Sequence, residues 1–214
     1  MAYPLDRHRW NAATPDNVES FEGQLRELLN ALERHDEGTR YHSESVSAWS
    51  GKIGRTLGLA ASNIAFIERC AILHDIGKLF TPDHILRKPG PLTDEEWAQM
   101  RAHAGNGATL LESIPCVAEY ADAVRAHHER QDGTGYPNGL SRTEIPLEAS
   151  IISVADAFDA MISKRSYRRP FSPAHALAEL ERCRGSQFEP SVVDALVALI
   201  ALPNRPRLRL LATG

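Results

Sequence analysis

The chain has 214 residues, 43% of them apolar, enough for one domain with a sizeable core. Its 24 basic and 28 acidic residues leave a formal charge of −4, which offers no electrostatic footprint for polymeric nucleic acid or an anionic membrane. Cys70, Cys116 and Cys183 fall at no motif spacing, so no disulfide framework is expected and a reducing compartment fits best. The opening residues, MAYPLDRHRWN, lack the apolar core of a signal peptide, and no apolar run approaches the roughly 20 residues of a spanning helix. The expectation is a cytoplasmic protein.

Helix periodicity runs through nearly the whole chain and convincing strand alternation is missing, so the spacing predicts an all-α fold. Thr14-Pro15 opens a first helix with the stripe Val18, Phe21, Leu25, Leu28 and Leu32, ended by Gly38. That stripe can pack on the domain, the favoured option, or on a second subunit. A second helix carries His42, Val46, Trp49 and Ile53 on one face and stops at Gly58. Ser62 is expected to cap a third, with Ile64, Ile67 and Ala71 facing inward. Thr93 and Glu96 have capping-box spacing for a helix through Trp97 and Met100. Val117, Ala121 and Val124 mark another, residues 147–163 the next, and Ser172-Pro173 and Glu189-Pro190 open the last two. Trp49 and Trp97 both lie on stripes and are expected in the core. The chain divides into an N-terminal helical extension (1–38), a main domain (39–202) and a basic tail (203–214). Residues 1–38 are too short for a receiver or sensor domain.

Polar residues interrupt these stripes. In IERCAILHDIGKL the apolar face of the third helix runs into His74, Asp75 and Lys78, with Lys78 beside both of the others at i+3 and i+4. A carboxylate on a buried face is costly unless it is paired or metal-bound. A buried Asp75–Lys78 ion pair with a hydrogen-bonded His74 is one account; a ligand site is the other. The same oddity recurs at His42, at His127 and His128, beside the stripe at His103, and at Asp156 within ISVADAFDAM. Each alone reads more simply as a satisfied core residue. Together, five imidazoles and two carboxylates suit one shared centre for divalent transition metals. With no cysteine among them a structural zinc site is not expected. Seven ligands suit two bridged ions about 3.5–4 Å apart, the usual clamp for phosphate-ester hydrolysis.

At this point the sequence resembles a known family. ILHDIGK is similar to the HD phosphohydrolase superfamily, and HHERQDGTGYP at 127–137 resembles the HHExxDGxGYP signature of its HD-GYP branch at every fixed position. The likeness covers about residues 40–200. It implies an all-α HD-domain bundle with a metal centre in its core, and a bacterial signalling phosphodiesterase acting on cyclic di-GMP. The products implied are pGpG and, after a second cut, GMP, by attack of a hydroxide held between two ions. It further implies that His42, His74, Asp75 and Asp156 hold one ion, with Asp75 bridging to a second held by His103, His127 and His128. Iron is the first expectation and manganese the alternative. Gly38 stands where some members carry a glutamate for a third ion, so a third is not expected, although Glu37 is adjacent.

Lys78 matches a lysine near the bound phosphate, and Tyr136, Arg165 and Arg168 match positions that contact the dinucleotide. An arginine offers a fork for phosphate or a guanine edge, and a tyrosine a stacking face. Helix-terminal cations are the other reading of the two arginines. Glu129 is expected to orient a histidine ligand, Asp132 to brace the loop, and Asp159 to make a structural hydrogen bond rather than support a ligand. His8, His35, His84 and His175 are expected at the surface or in packing. Alternatives to cyclic di-GMP hydrolysis are another cyclic dinucleotide such as 3′,3′-cGAMP, a simpler phosphoester, or a non-catalytic docking or binding module. A homodimer through the N-terminal helix and contacts with signalling proteins also fit the resemblance.

Overall fold

The computed structural model describes residues 15–36, 38–163 and 169–201, with side chains from Gly23 onward. Among these residues there are nine α-helices and no strand beyond one isolated bridge between Arg184 and Phe188. The helices are α1 (Pro15–His35), α2 (Thr39–Thr56), α3 (Ala61–Leu73), the short α4 (Asp83–Leu86), α5 (Asp94–Glu112), α6 (Ala121–Ala126), α7 (Leu147–Ile162), α8 (Pro173–Arg182) and α9 (Pro190–Ala201). Turns of 3-10 helix intervene at Ile76–Phe80, Ala118–Tyr120 and Arg142–Glu144. No helix among the described residues is long and apolar enough to cross a membrane.

α7 is the most apolar helix around the site and sits at the centre. Ile151, Ile152, Val154, Ala155 and Phe158 are all buried, and burying each large side chain contributes about 1.5–3 kcal/mol. α2 packs against α3, α7 and α9, while α5 packs against the 76–80 turn and α6. The shared core includes Val46 and Ile53 of α2, Ile67 and Leu73 of α3, Leu111 of α5 and Val124 of α6. Leu32 of α1 joins the same core, so the C-terminal half of α1 packs on the domain. Thr14 and the side chains of Val18 and Phe21 lie outside the described residues, as does the tail 203–214.

Several expectations need correction. α1 ends at His35, whose Nε2 approaches the Thr81 carbonyl at 2.9 Å, and Gly38 in a left-handed conformation (φ 91°) is instead the residue before α2. Ser62 is not the cap of α3: the helix starts at Ala61 with Ala60 as its uncapped N-terminal flank. α3 also stops at Leu73 rather than running through Lys78, and the chain tightens into the 3-10 turn. Gly77 explains the change of course. A Cβ there would fall on the His103 carbonyl and close to the Gly107 nitrogen, so the turn lies directly on the α5 backbone. The stretch after Val117 begins as 3-10 helix and becomes α6 only at Ala121.

Trp97 is 46% exposed, not core. Burial on α5 starts at His103, so a stripe position in its first turn precedes the neighbours that would cover it. Trp49 does pack against the core, its ring 5.0 Å from that of Phe158 in an edge-to-face contact. The Thr93–Glu96 capping box forms with both of its hydrogen bonds, and the Ser172 side chain caps α8.

Candidate metal centre

Five segments deliver the polar residues to one place. The first turn of α2 supplies His42, the junction after α3 supplies His74 and Asp75, α5 supplies His103, the end of α6 supplies His127 and His128, and α7 supplies Asp156. Ligand atoms of His42, His74 and Asp75 lie within 4.8 Å of one another, as do those of His103, His127 and His128. Asp75 stands between the two groups: its Oδ2 is 3.3 Å from His74 Nε2 and its Oδ1 is 3.5 Å from His103 Nε2. Asp156 Oδ1 lies 3.0 Å from His42 Nε2, which brings the seventh residue to the cluster.

Four of the five imidazoles are aimed by bonds on their other nitrogen. Nδ1 of His74, His103 and His127 faces the carbonyl three residues earlier, that of Ala71 at 2.7 Å, Met100 at 2.8 Å and Val124 at 2.5 Å. His42 Nδ1 faces Asp159 Oδ2 at 2.8 Å. In the three rings bonded to a carbonyl, a proton spent at Nδ1 leaves Nε2 as a lone pair directed at the centre, the usual way a ligating histidine is oriented. Asp159 is therefore the orienting partner of His42, the role given second place on sequence grounds. It also accepts from the Ser45 hydroxyl and, at 3.2 Å, from the Ser163 hydroxyl.

The charges divide in two. Burial, helped by the neighbouring imidazoles, holds His103 and His127 below the ordinary histidine range and lowers His128 to about 4. These rings are neutral at pH 7 and available as ligands. Burial also pushes His42 downward, but the hydrogen bonds and charges of Asp156 and Asp159, with Asp75 behind them, win and raise it to about 9. Burial would raise Asp75, yet Lys78, then His74 and His103, hold it well below the carboxylate range. Asp156 is lowered too, against burial, by His42 and His74. Lys78 places its ammonium 2.7 Å from Asp75 Oδ2 and is raised in turn, the carboxylate outweighing burial.

The arrangement fits a cation. His103 Nε2 and His127 Nε2 lie 3.3 Å apart, and both rings spend their Nδ1 proton on a carbonyl. Two lone pairs then face each other at that distance, which repels unless a positive ion is shared between them. An all-imidazole and carboxylate donor set without sulfur suits a first-row divalent metal.

Above the cluster lies the loop after α6. The Tyr136 ring sits 4.8 Å from the His128 ring at an interplanar angle of 33°. Buried Glu129 does not orient a histidine: its carboxylate accepts from the backbone N–H of Asn138 (2.7 Å) and Leu140 (3.0 Å), holding the loop closed. Asp132 braces the same loop through Arg130 and Thr134, as expected. Gly135 lets the loop fold back, since a Cβ there would meet the Arg130 nitrogen and the Glu129 Cα at 2.5 Å. Arg165, Arg168, Glu37 and His8 lie outside the described residues. His35, His84 and His175 take no part in the cluster; a cavity of about 390 Å³ lined by His175, Met161, Phe171 and Phe188 contains none of its seven residues.

A family model described as "HD domain" matches residues 26–192. The chain is 41% identical over 184 residues to a cyclic di-GMP phosphodiesterase of Thermotoga maritima, covering 85% of this chain and 50% of that one. It is 38% identical over 172 residues to a 3′3′-cGAMP-specific phosphodiesterase of Vibrio cholerae, covering 79% and 33%. The chain thus spans half or less of these curated relatives. Among solved structures, a HDG"Y"P protein from Bdellovibrio bacteriovorus superposes with a TM-score of 0.66 at 20% identity, covering 87% of this chain and 65% of that one, a likeness of fold. HD-domain phosphohydrolases use divalent metals, and the His/Asp groups here could bind them. The all-helical bundle, the matched span and the HD and HHERQDGTGYP motifs agree: the chain belongs to the HD domain family, in its HD-GYP branch.

Proposed function

We propose that this chain is a divalent-metal-dependent phosphodiesterase that opens cyclic di-GMP to pGpG and, in a second cut, to GMP. The observation that carries the reading is Asp75, whose two oxygens face His74 and His103 in separate halves of the cluster. In this reading His42, His74, Asp75 and Asp156 would hold one ion and His103, His127 and His128 the other, with Asp75 standing between the two groups. Iron is the first candidate and manganese the second. When bound, such a pair supplies Lewis acidity and lowers the pKa of water towards neutrality.

The protein's own groups do the rest. Asp159 and the three backbone carbonyls hold the imidazoles in place before substrate arrives, so little reorganisation is needed at the moment of reaction. Lys78, beside the bridging carboxylate, offers a cation to the phosphoryl oxygens as charge develops on them. Tyr136 offers a ring face next to His128 for a nucleobase. Arg165 and Arg168 carry the remaining phosphate or base contacts on the strength of the signature alone. Hydrolysis breaks one P–O3′ bond and leaves the phosphate on the 5′ side.

A second substrate, 3′,3′-cGAMP, is favoured by the likeness to the Vibrio cholerae enzyme. Protein purified without oxygen and loaded with ferrous iron or manganese should bind about two ions, and it should consume one or both cyclic dinucleotides. Metal-loaded protein that leaves both intact overturns the reading.

A further inference from the structure

Beside the His/Asp cluster stands a row of four side chains, two of which, Arg101 and Trp97, the signature does not name. From the centre outward it runs His128, Tyr136, Arg101 and Trp97. Tyr136 stacks near His128, and the Arg101 guanidinium lies over two rings at once, 5.6 Å from the Tyr136 centroid and 5.8 Å from that of Trp97. Trp97 and Arg101 are one helical turn apart on α5, and Arg101 precedes His103 by two residues. Both are exposed. The cation has no carboxylate within ion-pair distance among the described residues, whereas Lys78, Lys88, Arg125 and Arg130 each have one. Arg101, exposed and without an ion-pair partner among the described residues, lies near two ring faces that its packing does not require.

We propose that Arg101 is a specificity-determining residue that reads the N7/O6 edge of a guanine in the substrate, with Trp97 and Tyr136 fixing the plane of its guanidinium. The inference rests on the cyclic-dinucleotide reading of the metal centre above. A guanidinium flanked by aromatic faces has its N–H donors directed outward in its own plane. Guanine presents two acceptors there, N7 and O6, which match the fork in a bidentate pair. Adenine presents one acceptor and one donor on that edge, so an amino group would meet an N–H. The row would therefore favour ligands with at least one guanine, cyclic di-GMP and 3′,3′-cGAMP alike, over cyclic di-AMP. A good bidentate pair of this kind discriminates by roughly 10-fold or more.

The test is initial-rate competition on the metal-loaded full chain. Bis(p-nitrophenyl) phosphate serves as a reporter substrate without a base, and cyclic di-GMP and cyclic di-AMP serve as competitors. Arg101→Ala should leave reporter turnover, metal content and the circular dichroism spectrum at wild-type values. It should raise the inhibition constant of cyclic di-GMP about 10-fold and change that of cyclic di-AMP less than 2-fold. Arg101→Lys, which keeps the charge but not the fork, should recover less than half of the lost preference. Equal weakening of both competitors overturns guanine readout, and so does an unchanged constant for cyclic di-GMP. If the wild type turns over the reporter but neither binds nor cleaves any cyclic dinucleotide, the substrate reading itself fails and takes this one with it.

Discussion

His42 and Asp159 are joined by a 2.8 Å bond from the imidazole Nδ1 to the carboxylate Oδ2, across 117 positions of chain, and that bond decides which nitrogen of His42 faces the His/Asp cluster. Orienting partners of this type affect metal affinity by about 10–100-fold. Asp159→Ala should therefore weaken metal binding by about that factor while leaving the helical content unchanged. Metal titration followed by elemental analysis measures it, and undiminished affinity would remove Asp159 from the site.

Asp75 carries two burdens. It faces imidazoles of both halves, and it pairs with the mostly buried ammonium of Lys78. Asp75→Ala should abolish turnover and reduce bound metal by at least one equivalent. Stability should also drop, because removing one partner of a buried ion pair costs roughly 3–5 kcal/mol, with the low end apt here since Lys78 keeps some solvent contact. The double variant Asp75→Ala/Lys78→Met should recover part of that stability in denaturant unfolding without recovering metal.

The metal-free protein should have a pH optimum of stability near neutrality. His103, His127 and His128 titrate below their unfolded pKa of about 6.5, His128 at about 4. As pH falls from 6.5 towards 4, the unfolded chain takes up protons that the folded chain refuses, so stability is lost on the acid side. His42, raised to about 9, contributes stability that is complete below pH 6.5 and fades as pH rises through 9. Thermal unfolding of chelator-treated protein between pH 4 and pH 9.5 checks both limbs. His42→Gln should flatten the alkaline limb and, because His42 also holds Asp156 and Asp159 down, soften the acid one, the folded chain then taking up protons more readily.

Gly77 lies on the backbone of α5 with no room for a side chain. Gly77→Ala should push the 76–80 turn away from His103 and Gly107, and with it move Asp75 from His103. Overpacking costs about 1–3 kcal/mol, and contact with backbone rather than a flexible side chain puts this case at the upper end or beyond. The midpoint of thermal unfolding and the metal content should both fall. Gly105→Ala, where a Cβ has no atom within 4 Å, is the control: it should leave metal content unchanged and, alanine being the better helix former, raise the midpoint slightly.

Much of this was legible in the sequence because the chemistry interrupts the periodicity. His74, Asp75 and Asp156 occupy places where a helix stripe calls for apolar side chains, and all seven anticipated ligands lie in the one cluster. What escaped had no such contrast. The break after Leu73 depends on Gly77 meeting α5, a tertiary contact that local spacing does not encode. Glu129 sits beside the histidine pair in sequence, yet its carboxylate turns to the N–H groups of Asn138 and Leu140. Trp97 keeps helical register with buried residues but lies before α5 meets its neighbours. The role of Asp159 had a usable signal, since Asp156 and Asp159 on α7 and His42 and Ser45 on α2 each repeat at i, i+3, two polar faces able to meet.

Because α7 brings both Asp156 and the carboxylate that aims His42, cation capture cannot run ahead of tertiary assembly. A nascent chain that has emerged only as far as the histidine pair would possess most of the donors and none of their final anchoring. Occupancy is then a report of a finished bundle, and an ion present at about 100 times its dissociation constant would add about 2.7 kcal/mol to the folded state it certifies. On the proposed function, metal scarcity in the cell would accordingly be felt twice, as idle catalyst and as a shorter-lived protein.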